Sequence, residues 1–110
     1  MKENKEELLK IDLKSIPDQI LIDTHGYNMI INDFYLLISD FKNIAFVIKI
    51  SSSQQTDQYG QIGWELPKIT ENDLLNNPIH IAKQYDRFYS FNKVFLNRWN
   101  GEAAYFNYMD

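Results

Sequence analysis

The stretch Asn43 to Ser51, NIAFVIKIS, constrains the fold more than any other part of the chain. Ile44, Phe46, Ile48 and Ile50 alternate with Ala45, Val47 and Lys49, the period of two that sends successive side chains to opposite faces of a strand. One set is wholly apolar and the other only partly so. That pattern describes a central strand covered fully on one side and partly on the other. Such a strand needs neighbours, and it needs a layer lying on its apolar face.

The rest of the chain offers both. Gln19 to Asp23 reads as a strand, His25-Gly26 as a turn, and Tyr27 to Ile31 as the returning arm of a hairpin. Phe34, Leu37, Ile38 and Phe41 fall at helical spacing behind Asn32 as N-cap, so residues 33–41 read as a helix, with a strand as the competing assignment. Residues 51–61 are polar and aperiodic and read as an exposed loop. Ile62 to Leu66 reads as a strand stopped by Pro67, with Trp64 expected in the core. Thr70-Glu71-Asn72-Asp73 resembles a capping box ahead of one short turn at Leu74-Leu75. Asn77-Pro78 opens the main expected helix, residues 78–89, whose stripe is Ile81, Ala82, Tyr85, Phe88 and Tyr89. Residues 3–10 read as a short helix. At the C-terminus, Asn100-Gly101 between Lys93–Trp99 and Ala103–Met109 is a strong hairpin signal, and a two-residue turn there sets Phe95 opposite Phe106. Together these predict an α+β fold: an antiparallel sheet of about four to six strands with helices packed on one face.

At 110 residues, 45% hydrophobic and 15% aromatic, residues 1–110 suit one domain with a substantial core rather than a disordered chain. No cysteine is present, which excludes disulfides and thiolate chemistry. The longest unbroken apolar runs, Phe34 to Ile38 and Ile44 to Ile48, are five residues each, against about 20 for a membrane span. The charged N-terminus carries no secretory signal pattern. The expected setting is soluble and cytoplasmic.

Charge is unevenly placed. Acids and bases cancel over residues 1–14 and again over 42–110, so the whole net charge of -4 sits in residues 15–41 as Asp18, Asp23, Asp33 and Asp40, with no Lys or Arg there. A second base-free window, 50–67, adds Asp57 and Glu65. Aspartates favour caps and turns, so each can simply mark a boundary. Clustered, they make a docking face for a basic partner, because complementary potentials steer association. Tyr59 in the polar loop is a candidate aromatic anchor.

Catalytic and ligand signatures are sparse. Asp23 and His25 form the one pair suited to general base chemistry, with no nucleophile indicated. His25 and His80 lack paired metal-ligand spacing, and the four glycines make no phosphate loop. Arg98 and Trp99 could stack on bases, yet a pI near 5.1 argues against nonspecific nucleic-acid binding. No cofactor and no metal are expected. The reading that uses the charge pattern is a small non-catalytic binding protein, an inhibitor or immunity-type antidote that occludes a basic partner such as a nuclease toxin. Its partner-binding residues would be Asp18, Asp23, Asp33, Asp40, Asp57, Tyr59 and Glu65. Two alternatives stand beside it: a homo- or hetero-oligomer subunit assembling through the hairpin 93–109, and an enzyme using Asp23 and His25.

Overall fold

A computed structural model describes residues 19–57, 59–84, 87–89 and 95–109. The helix expected over residues 3–10, and Asp18, lie outside the described residues. Eight strands run in chain order: β1 (Ile20–His25), β2 (Ile31–Phe41), β3 (Ile44–Thr56), β4 (Ile62–Lys68), β5 (Ile79–Gln84), β6 (Arg87–Tyr89), β7 (Phe95–Arg98) and β8 (Ala104–Asn107). All pairings are antiparallel.

This corrects the α+β expectation. Among the described residues there is no helix of seven or more residues, and the fold is a curled antiparallel sheet rather than a sheet covered by helices. Residues 33–41 are strand β2. Within 78–89, β5 and β6 stand where the main helix was expected. The sheet curls back on itself, one end strand pairing with a strand inside the order. Its order is β2-β1-β7-β6-β5-β3-β4-β8, and β2 also pairs with β3. Six strands therefore pair in a ring, and β4 and β8 continue outward from it.

The 13-residue β3 belongs to both parts. Its first half pairs with β2 and β5, and its second half, Ser51 to Thr56, pairs with β4. The polar segment read as a loop is thus mostly strand, and the turn is confined to the residues after Thr56. Polar composition misled because Ser52 to Thr56 lie on a wet sheet away from the ring, where alternation has no dry face to report.

Two apolar clusters lie on opposite sides of the ring's wall. Leu21, Ala45, Val47, Ile81 and Leu96, with Tyr35 and Leu37 against them, come from β1, β2, β3, β5 and β7 and fill the inside. Ile20, Phe34, Leu36, Ile48, Ile50 and Trp99 pack on the outside, joined by Ile22, Ile69, Leu74 and Ala104. The buried face of β3 switches between Val47 and Ile48. Ile44 and Phe46, expected inward, are 45% and 42% exposed. A register shift between Leu37 and Ser39 in β2 accompanies the switch, as expected where a strand bends sharply.

The C-terminal hairpin does not form. β7 pairs with β1 and β6, whereas β8 pairs with β4. Phe95 stands opposite Tyr89, and Phe106 opposite Gly63. Gly101 does take positive φ, at 85°, and the Trp99 indole N–H donates to the Glu102 carbonyl at 2.7 Å. The turn carries the chain out of the ring to the outer sheet. Trp64, expected in the core, is 53% exposed and meets Tyr105 edge-on at 5.4 Å between ring centres. The Thr70 capping box does form. The Asp73 N–H donates to Thr70 Oγ1 at 3.1 Å, and the Thr70 N–H donates to Asp73 Oδ2 at 3.0 Å, ahead of a 3-10 turn at Asp73–Leu75.

Candidate functional site

Asp23 and Asp33 stand directly opposite each other where β1 pairs with β2. By alternation they share the inward face with Leu21 and Tyr35, so they line one end of the ring. His25 and Lys49 join them there. The His25 Nε2 lies 2.9 Å from Asp33 Oδ2, and Lys49 Nζ lies 3.3 Å from Asp33 Oδ1. The sequence pointed to Asp23 as the partner of His25. Strand pairing supplies Asp33 instead.

Asp23 is left with a buried carboxylate oxygen, Oδ1, that has no hydrogen-bond partner. Burial raises its pKa, the charge of His25 lowers it, and the charge of Asp33 raises it, for a net shift upward. Burial, Asp33 and Asp23 likewise raise the pKa of Tyr35 beneath them. One ligand atom each from Asp23, His25 and Asp33 lie within 4.8 Å of one another, a donor set that suits a hard or borderline divalent cation. Lys49 already places a positive charge on Asp33, and it would compete with any ion there.

Beside this rim, β3 leaves β2 to join β4, because the last β2–β3 pair is Phe34 with Ile50. The divergence opens a groove of about 460 Å³, bordered by Asn32, Asp33, Lys49, Glu65, Asp73 and Tyr108 among others. Glu65 is 2% exposed. It was expected as an exposed acid, but it follows Trp64, and alternation along β4 turns it inward. Its Oε2 accepts from the Asn32 side-chain amide at 3.1 Å, and the same amide donates to the Tyr105 carbonyl at 2.8 Å. Asp73, also buried, accepts from the Ser51 N–H, the Ser51 hydroxyl and the Thr70 N–H at 2.9, 2.9 and 3.0 Å. Burial opposes its ionisation, but those bonds win and its pKa is lowered. Gln54 Nε2 donates to the Tyr108 hydroxyl at 2.8 Å. Burial and the Glu65 charge hold that phenol above its ordinary pKa, against the bond from Gln54, with Asp33 adding to the rise.

The remaining expected site residues separate. Asp40 lies seven residues along β2 from Asp33, about 23 Å at strand rise, and Lys83 Nζ reaches it at 2.7 Å. That bond and charge lower its pKa. The three described aspartates of residues 15–41, Asp23, Asp33 and Asp40, therefore do not share one uncompensated face. Asp57 is a turn residue whose Oδ1 accepts from the N–H groups of Tyr59 and Gln61. Tyr59 is exposed, as is Tyr27 on the β1–β2 turn, at 73% and 87%. The two turns lie at the same end. Ile30 exchanges hydrogen bonds with Asn107, and the Tyr108 N–H donates to the Gln61 carbonyl.

Missed from sequence were Tyr27, Asn32, Lys49, Asp73 and Tyr108. Only the capping pattern at Thr70–Asp73 carried a local signal for one of them. Tyr27 lies on the β1–β2 turn, and Asn32, Lys49 and Tyr108 reach the site through contacts with residues distant in sequence: Asn32 with Glu65, Lys49 with Asp33, and Tyr108 with Gln54.

Comparison with protein-family models, with curated proteins and with solved structures finds no match to this chain. No helix among the described residues is long and apolar enough to cross a membrane.

Proposed function

We propose that the chain is a non-catalytic binding protein, an inhibitor or immunity-type antidote that occludes the basic surface of a partner protein such as a nuclease toxin. The docking end is narrower than the charge sum suggested. It comprises Asp23, Asp33, Asp57 and the exposed Tyr27 and Tyr59, and it leaves out Asp40. The observation that carries this reading is the opposed Asp23–Asp33 pair with a buried, donor-less oxygen on Asp23. A buried acceptor without a donor costs free energy in the unbound protein. A partner's cation near the rim would offset part of that cost through its charge on the Asp23–Asp33 pair, and the exposed Tyr27 and Tyr59, on turns at this end, suit the anchoring role aromatic rings play at interfaces.

The assembly alternative loses its main support. Phe106 is fully buried, and the outward edge of β8 is covered by the backbone of Ile30 and the side chain of Asn32. Among the described residues, β7 and β8 pair with other strands rather than with each other.

The test is affinity capture from the native host, identification of the bound protein, and kinetics on the purified pair. The association rate should fall as salt rises. Asp23→Lys with Asp33→Lys should weaken binding by at least about tenfold, while Asp40→Lys should leave it within about twofold. A partner that binds the double reversal as well as the native chain would overturn the reading.

A further inference from the structure

Strand pairing brings three potential metal ligands of two chemical types to one face. Asp23 and His25 are two residues apart on β1, and Asp33 stands opposite Asp23 on β2, so alternation sends all three side chains the same way. One donor atom from each lies within 4.8 Å of the other two. His25 and Lys49 account for Asp33, one on each of its oxygens. They leave Asp23 out. Its Oδ1 is buried and has no hydrogen-bond partner. Like charges set directly opposite each other destabilise a strand pair, and a buried acceptor without a donor adds a second cost. An ion-pair network built on Asp33, His25 and Lys49 requires neither feature. Both occur at one spot, with an imidazole beside them.

We propose that Asp23, His25 and Asp33 hold one divalent transition ion of the zinc class, through one oxygen of each carboxylate and one imidazole nitrogen. Such an ion offsets the repulsion between the opposed aspartates, and it gives the Asp23 carboxylate the positive partner that no donor among the described residues supplies. The geometry is close to what the ion needs. His25 Nε2 and Asp33 Oδ2 stand 2.9 Å apart, whereas two ligand atoms on one tetrahedral zinc lie about 3.3 Å apart. An ion replacing the shared proton parts that pair by a few tenths of an ångström. No pair in the set exceeds 4.8 Å, so the rest close by at most about 1.5 Å, within reach of a His25 side chain that is 41% exposed. The fourth tetrahedral position is left to water or to a partner's donor. Lys49 decides the kind of ion. Its ammonium, 3.3 Å from Asp33 Oδ1, competes with magnesium or calcium, which rely on the charge of oxygen ligands. It does not oppose a bond to imidazole nitrogen, which suits zinc and its neighbours. By engaging Oδ1 it also fixes the Asp33 carboxylate with Oδ2 turned to the site. The proposal does not depend on the basic-partner reading: an ion needs the ligand atoms to converge, a partner needs only their field.

The experiment titrates the metal-free full chain with zinc chloride and, separately, with magnesium chloride, by calorimetry at neutral pH, and repeats the thermal melt with and without zinc. One zinc per chain should bind, at least about a hundredfold more tightly than magnesium, and it should raise the melting temperature. His25→Ala and Asp23→Asn should each weaken zinc binding at least about tenfold without lowering the melting temperature of the metal-free chain. His80→Ala removes the only other histidine and should leave zinc affinity within about twofold. No saturable zinc binding, equal affinity for magnesium, unchanged zinc affinity in Asp23→Asn or His25→Ala, or an equal loss in His80→Ala would each overturn the proposal. The basic-partner reading fails separately, through the Asp23/Asp33 charge reversal measured against the partner with a chelator present.

Discussion

At the scale of single residues, the fold sets carboxylates of the same type to different tasks. Asp73 is a structural acid. Asp73→Ala should cost about 2–3 kcal/mol, since it strands the Ser51 and Thr70 donors. Because its folded pKa lies below the unfolded value, that contribution is present at neutral pH and is lost as pH falls through the depressed pKa. Urea unfolding of the variant and native chains across acid pH should show the gap closing. Asp23 runs the other way. Its folded pKa is raised, so the native chain is favoured below the ordinary aspartate pKa and loses stability as pH rises through the raised value. Asp23→Asn should flatten that segment of the pH profile and be at least as stable as the native chain at neutral pH. A variant less stable than the native chain at neutral pH would show that Asp23 has a donor after all.

At the scale of elements, the difficulty was burial on both sides of a strand. In β2, Phe34 and Leu36 pack outside the ring while Tyr35 and Leu37 pack inside. Residues 34–38 are therefore apolar without a break, and Phe34, Leu37, Ile38 and Phe41 fall by chance at helical spacing. The even positions of β3 do share the outer face, but only Ile48 and Ile50 are covered there, while Ile44 and Phe46 stay exposed and burial over the first half falls to Ala45 and Val47 inside. β5 reads Ile79, Ile81, Lys83 against His80, Ala82, Gln84, a strand alternation that the Asn77-Pro78 helix signal masked. The first strand and the Thr70 cap were legible because short-range chemistry decides them, but the returning arm expected at Tyr27–Ile31 is mostly the turn, and the strand that pairs with β1 is β2, Ile31–Phe41. Of the site, the aspartates of β1 and β2 were visible as charge, but their opposition, and the company of Lys49 and Glu65, depend on register. Two substitutions test this account. Phe106→Ala should cost about 3–5 kcal/mol as a core truncation, while Trp64→Ala should cost about 1 kcal/mol, the worth of its edge contact with Tyr105. Comparable losses in denaturant melts would mean Trp64 is buried after all. Gly63→Ala should destabilise the β3–β4 pair by about 2 kcal/mol or more, because an added Cβ would collide with the Gln55 carbonyl.

At the scale of the whole molecule, the ring closes through contacts far apart in the chain. Leu21 pairs with Arg98, and Ala45 with Ile81. Folding should therefore be slow for a chain this short, in the millisecond-to-second range of nonlocal β topologies. Stopped-flow refolding followed by tryptophan fluorescence reads this directly, since Trp99 is buried and Trp64 is not. Completion within microseconds would contradict a ring joined through β1 and β7. β3 runs through both layers, as a wall of the ring and as the first strand of the outer sheet. No cut in the chain can separate the two and leave either intact. Splitting the chain within β3, or grafting the outer sheet onto another scaffold without β3, would take from whichever part was kept a strand that it pairs with.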